Sequence, residues 1–373
     1  MKSQVRSEST AQGEQRTGLL YGFGAYGMWG LVPLFWPLLK PSAALEILAH
    51  RMVWSLLFVA VALVALRRWA WIGDLVRQPK KLALVAVAAI VISVNWGLYI
   101  WSVNSGHVVE ASLGYFINPL VTIAIGVLLL KERLRPAQWA AVGIGVLAVL
   151  VLTIGYGQPP WISLTLAFSF ATYGLVKKKV NLGGLESLAA ETVILFLPAL
   201  GYLVWLQARG TATFGAEGAG NALLLASTGL VTAVPLVCFG AAAIRVPLST
   251  LGLLQYLAPL FQFALGVAYF HEEMPAERWA GFSLVWLALT ILTWEALRTG
   301  RRARAEKARL TEAVRVAEAV RVAGAERSAE AERERSAEAE RPAGAGPGAG
   351  AEARTPSTAP AATPAQGAID STP

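Results

Sequence analysis

The chain has 373 residues, 55% apolar and only 15% charged, and its mean hydropathy is +0.52 although its last seventy-odd residues are polar. That balance excludes an ordinary soluble globule, and the stretch before the tail has room for about ten bilayer crossings of roughly 20 residues each. The net charge of +8 does not signal nucleic acid, because the basic residues fall between apolar runs and after the last one; the one cysteine, Cys238, excludes an intrachain disulfide and a cysteine-built zinc site.

Residues 1–17 are polar, and apolar runs follow at about 18–39, 45–66, 82–103, 108–130, 137–154, 159–176, 187–206, 221–242, 248–270 and 279–297. Their length, without period-two alternation, predicts helices and not barrel strands. The first run is too long for a signal-peptide core and lacks a small-residue cleavage site, so it is expected to stay in the mature protein. Within it Gly22, Gly24 and Gly27 spell G-x-G-x-x-G; with no strand before them, helix packing or flexibility is a better reading than phosphate binding.

The second run carries Glu46, His50 and Arg51, with Glu46 and His50 one turn apart. Ionisable residues inside a span are costly, which makes these a charged lining of a solute pathway or, near the interface, residues that snorkel outward. At the end of the third run and the start of the fourth stand Asn95, Trp96, Tyr99, Trp101, Asn104, His107 and Glu110. Trp101 reads as part of an interfacial aromatic belt and the deeper Asn95 as a cavity residue. Asn118 and Pro119 follow in the fourth run, Tyr115 and Tyr173 are further cavity candidates, and Glu191 in the seventh run is placed to compensate Arg51 or His50. The ninth run holds Gln255, Tyr256, Pro259 and Gln262. Pro119 and Pro259 each remove a helical hydrogen bond and free a carbonyl, which can serve a binding site or merely a packing kink.

After the last run the cluster Arg298, Arg301, Arg302, Arg304, Lys307 and Arg309 could meet anionic lipid headgroups. Ala, Arg and Glu dominate from there to Arg341, a composition able to form a transient solvated helix but no core, and beyond Pro342 the Gly, Ala, Pro and Thr stretch predicts disorder. Counted on alternate sides of ten spans, Lys and Arg before the tail number fifteen against three, which places both termini in the cytoplasm.

A shift of 140 residues aligns 111–153 with 251–293 without a gap, matching Pro119 with Pro259, Gly126 with Gly266, Glu132 with Glu272 and Trp139 with Trp279. Each half then holds five spans, and an odd number inverts the second copy. The loop Lys131, Glu132, Arg133, Leu134, Arg135 becomes His271, Glu272, Glu273, Met274, Pro275, losing its basic residues as a change of side requires. Inverted five-helix halves are a transporter architecture.

The stretches at 46–55 (EILAHRMVWS), 95–104 (NWGLYIWSVN), 110–121 (EASLGYFINPLV), 167–179 (AFSFATYGLVKKK), 229–239 (GLVTAVPLVCF) and 248–259 (LSTLGLLQYLAP) resemble the EamA family of the drug/metabolite transporter superfamily, in order from about Gly18 to Leu297. The resemblance implies two EamA repeats, ten helices with 137–154 and 279–297 peripheral, a plasma-membrane location and a permease working by alternating access around a central cavity.

The expectation is therefore an all-α polytopic membrane protein of ten transmembrane helices. It comprises a cytoplasmic segment 1–17, inverted repeats 18–154 and 159–297, and a cytoplasmic tail 298–373, basic and then disordered. Its partners are the lipid bilayer and a small metabolite or drug-like solute, not nucleic acid; self-association is left open. The pathway candidates are Glu46, His50, Arg51, Asn95, Asn118, Pro119, Tyr173, Glu191, Gln255, Tyr256 and Pro259. Neither a cofactor nor an enzymatic activity is expected: the histidines His50, His107 and His271 lack ligand spacing, and no nucleophile motif or P-loop occurs. The competing reading is a membrane-embedded enzyme or lipid-handling protein, which needs a catalytic constellation.

Overall fold

A computed structural model describes residues 2–67, 69–130, 134–180, 182 and 184–339, and among these there is no strand. The helices in chain order are α1 (Lys2–Leu31), α2 (Ala44–Leu66), α3 (Ala70–Val76), α4 (Pro79–Asn104), α5 (Val108–Leu130), α6 (Pro136–Tyr156), α7 (Trp161–Val180), α8 (Gly184–Ala208), α9 (Gly218–Ala243), α10 (Leu248–Leu254), α11 (Leu257–Ala268) and α12 (Ala276–Ala339). Their boundaries follow local chemistry. After Leu31 come Pro33 and Pro37, and the chain leaves the α-helix for two short 3₁₀ turns. α4 and α6 open on prolines, whose missing N–H costs nothing in a first turn, and Gly157 closes α6 at φ 69°.

Every apolar run read from the sequence is helical, but the count of ten spans is not reproduced one for one. Eight stretches among the described residues are long and apolar enough to cross a membrane. α1 and α7 fall outside that set, α1 because its first half is polar and α7 because its last turn carries Lys177, Lys178 and Lys179. The ninth run is divided into α10 and α11, with Pro259 in the first turn of the new helix. The repeat-equivalent Pro119 leaves α5 continuous. The two prolines thus behave differently: α5 is held along α7, with Gly114 pressed on the Ser163 backbone, while the chain before Pro259 gives way at Gln255 and Tyr256.

The chain divides into two units after Arg304. The tail is helical as far as Ala339, and its Leu310, Val314 and Val320 are exposed. The disorder expected from Pro342 onward lies outside the described residues, as do Lys131, Glu132 and Arg133 of the loop used in the charge comparison.

In the first unit α2 packs against α4, α8 and α9, α7 against α4 and α5, α1 against α9 and α11, and α11 against α5. α6 joins the bundle through α5 and α12, with Leu152 against Gly281. Close helix approach is bought by glycine: a Cβ on Gly229 of α9 would lie 2.5 Å from the Trp54 carbonyl carbon of α2. In the G-x-G-x-x-G segment a Cβ on Gly22 would meet Leu254 at 2.7 Å, whereas one on Gly24 would meet nothing within 4 Å, so packing explains the first glycine and not the second. Large apolar side chains including Leu20, Val61, Leu128, Ile154 and Leu223 point outward, the surface a bilayer would cover.

Alternate connections gather together. Glu46 and Ser42 meet Thr213, Glu272 meets the start of α5, and Arg278 meets Glu110 at 4.0 Å. Gly18 meets Arg245, and Arg135 pairs with Glu295 at 3.1 Å. Arg278 and Glu295 belong to the same helix, α12, and seventeen residues of helix separate them by roughly 25 Å.

Candidate functional site

Arg51 projects from the second turn of α2 into the bundle and is only 8% exposed. Its Nε donates to Thr232 Oγ1 of α9 at 2.8 Å, and its guanidinium carbon lies 3.9 Å from the Trp96 ring centroid and 5.7 Å from that of Trp36. Tyr99 and Tyr115 are within electrostatic reach. The side chain therefore does not snorkel. Among the described residues no carboxylate pairs with it. A buried, unpaired ion costs several kcal/mol even after relaxation, whereas a cation–π contact returns about 0.5–2 kcal/mol, so two indoles and one hydroxyl leave the charge under-compensated.

Glu46 and His50, which precede Arg51 on α2, have separate work. Glu46 Oε1 accepts the Thr213 backbone N–H at 2.8 Å, and the His50 ring stacks on Phe214 with centroids 4.8 Å apart. Ser42 Oγ lies 2.6 Å from Thr213 Oγ1. Together they bind the segment between α8 and α9 over the start of α2. Both His50 ring nitrogens are buried without a hydrogen-bond partner.

Glu191 does not compensate Arg51 or His50. It is 2% exposed in α8 and pairs with Lys177 Nζ of α7 at 3.4 Å, while Ser187 Oγ donates to it at 2.7 Å and Tyr173 OH at 3.1 Å. Lys177 also donates to Tyr173 OH. The expected opposite-charge relation between Arg51 and Glu191 is thus replaced by a local cluster, because Lys177, read from sequence as a topology signal, folds back one turn toward Tyr173.

Asn95 is fully buried and satisfied on both sides: Nδ2 donates to the Leu166 carbonyl at 3.0 Å and to Ser169 Oγ at 2.9 Å, and Oδ1 accepts from Tyr115 OH at 3.2 Å. It joins α4, α5 and α7 and places Tyr115 beside Tyr99, ring centroids 5.6 Å apart. Asn118 Oδ1 is buried without a partner, one residue before Pro119. Around the second proline the picture is less uniform. Pro259 is buried, Tyr256 is half-buried with side-chain hydrogen bonds to Thr293 and Gln255, and Gln255 is itself exposed. The break between α10 and α11 turns Gln255 out of the interior, so it does not join the buried polar set. Gln262, 4% exposed, donates to the Trp29 carbonyl at 3.2 Å.

At the far end of α5, Glu272 accepts the backbone N–H groups of Val108 and Val109 at 2.5 and 2.9 Å, capping that helix from the connection between α11 and α12. Burial raises its pKa above the ordinary carboxylate value, a shift that the two N–H donors, Arg278 and His107 oppose without cancelling.

The structure thus brings Glu46, His50, Arg51 and Asn95 into one connected region with Trp36, Trp96, Tyr99, Tyr115 and Thr232, and sets Tyr173 and Glu191 in a second. Trp36 and Thr232 carry no sequence signal: an indole and a hydroxyl in apolar runs look like packing until their neighbour is known. Lys177 had one, since Tyr173 and Ser187 each stand four residues from a charged partner, Lys177 and Glu191. Among the described residues no group of three His, Cys, Asp or Glu side chains is placed to hold a metal ion.

A family model described as the EamA-like transporter family matches residues 16–154. The chain is 79% identical over 295 residues to "Protein RarD" of Streptomyces exfoliatus, covering 79% of this chain and 94% of that one. To "Protein RarD" of Escherichia coli K12 it is 42% identical over 289 residues, covering 78% and 98%. A solved crystal structure at 17% identity superposes with a TM-score of 0.51 over 76% of this chain and 99% of the other, a likeness of fold alone.

Proposed function

The chain belongs to the EamA-like transporter family, and from that premise we propose that it is a secondary permease, carrying a small metabolite or drug-like solute across the plasma membrane by alternating access. Two inverted five-helix halves, α1 to α6 and α7 to α12, rock against each other around the buried polar region. The observation that carries this reading is the position of Arg135 and Glu272. The first follows α5 and sits by Glu295; the second follows α11 and sits within a few residues of Arg278, roughly 25 Å away along the same helix. A separation of this kind is what an inverted second half requires, and it supports the reading.

The helix contacts support the same symmetry. Exchanging each helix of the first half for its counterpart turns the α4–α7 contact into α9–α1, and α5–α7 into α11–α1, and all four occur. Both termini are cytoplasmic on this reading, and the membrane is the cell inner membrane.

The test is ATP-independent solute uptake by the purified protein in vesicles, run beside thiol labelling of Lys131→Cys and Glu273→Cys in a Cys238→Ser background. Uptake with the two thiols reactive from opposite faces is the expected result. Labelling of both from one face overturns the inverted architecture.

A further inference from the structure

We propose that Arg51 anchors an oxyanion site and that the solute carried is a small organic monocarboxylate with a flat apolar body. The inference rests on the permease reading and names its substrate class. The geometry is one of surplus donors. Thr232 accepts from Arg51 and passes its own proton to the Thr228 carbonyl at 2.9 Å, so its bonding is complete. Trp36 Nε1, which can only donate, is buried with no acceptor, and Tyr99 OH and Ser55 Oγ, one turn beyond Arg51, are likewise buried without partners. Tyr115 OH is committed to Asn95.

The buried carboxylates Glu46 of α2 and Glu191 of α8 are committed elsewhere. Glu46 is held by the Thr213 N–H, and Glu191 by Lys177, Tyr173 and Ser187. What remains is one positive charge against two indole rings, with the unpartnered buried donors of Trp36, Tyr99 and Ser55. A ligand that complements this must accept hydrogen bonds, carry a single negative charge and offer a ring-sized apolar surface. A neutral solute leaves the charge unmatched, and a cation is repelled. In this structure Trp96 lies on the guanidinium with Trp36 beside it and Thr232 bonded to it, so a solute reaches it when α2 parts from α9, a contact between the two halves that alternating access opens.

The experiment compares benzoate, phenylacetate and hexanoate with benzamide and benzylamine at millimolar concentration, by thermal unfolding of the detergent-solubilised full chain and by counterflow in vesicles. Carboxylates are expected to raise the melting temperature and to exchange, and the amide and amine to do neither. Arg51→Gln should abolish the carboxylate shift, and Arg51→Lys should keep part of it. Trp36→Phe, which keeps the ring and deletes the donor, should weaken benzoate about tenfold without loss of folding, and serves if Arg51→Gln does not fold.

A carboxylate response undiminished in Arg51→Gln or Trp36→Phe, or a panel in which no carboxylate acts, overturns the oxyanion site. Should the amide or the amine exchange and the carboxylates not, the permease stands and the anion assignment falls. Should carboxylates bind through Arg51 while no solute of any charge crosses, the permease reading falls and the site stands.

Discussion

Arg51 and Glu191 stand 140 residues apart, the spacing at which 111–153 aligns with 251–293, and their charges are met differently. Glu191 has Lys177, itself 26% exposed, so removing the carboxylate leaves an ammonium that can still reach water. Glu191→Gln should therefore cost about 1–2 kcal/mol, less than the 3–5 kcal/mol typical of breaking a fully buried pair. In a double-mutant cycle with Lys177→Met the two losses should be less than additive by about 1 kcal/mol; additive losses in thermal unfolding would show that the 3.4 Å pair is not coupled. Arg51 has no such partner to lose, so its replacement should read out in solute binding more than in stability. The ionisable residues were legible in the sequence because each is an anomaly in an apolar run. Their partners were not, since Thr232 is 181 residues from Arg51 in the chain.

Two elements show how helix placement governs that site. Gly229 lets α9 lie on the backbone of Trp54, three residues before Thr232 and three after Arg51 in their respective helices. Gly229→Ala should force α2 and α9 apart and lower stability by about 1–3 kcal/mol, with loss of the Arg51–Thr232 bond. Gly24→Ala, which meets nothing, should instead be neutral or stabilising by up to about 1 kcal/mol. Thermal unfolding of the pair in one detergent separates a packing glycine from an idle one.

The N-terminus of α5 depends on Glu272, and its response to pH has a definite sign. Burial raises the pKa of the docked carboxyl above that of the free group, so docking takes up a proton. The contribution is full below the ordinary glutamate pKa and is lost as pH rises through the raised one. Amide exchange at Val108 and Val109, corrected for intrinsic chemistry, should thus be slower in acid than at neutral pH. Glu272→Gln should remove the dependence, and a pH profile unchanged by that substitution would show that this carboxyl is not its source.

At the scale of the whole molecule the division after Arg304 predicts that a chain ending there keeps the fold and the transport of the full chain. Equal melting temperatures and equal uptake would bear this out; loss of either would give the tail a part in the bundle.

Hydropathy and period were enough to determine an all-helical membrane chain, because burial in lipid constrains every residue of a span and so leaves a mark on the chain itself. They were also enough to single out Arg51, Asn95 and Glu191. Tertiary structure alone decided that α5 runs straight through Pro119 while the chain divides before Pro259, that Gln255 turns outward, and that Lys177 and not Arg51 neutralises Glu191. Those outcomes depend on which helices meet, and two side chains far apart in sequence leave no trace of their meeting until the bundle has closed around them.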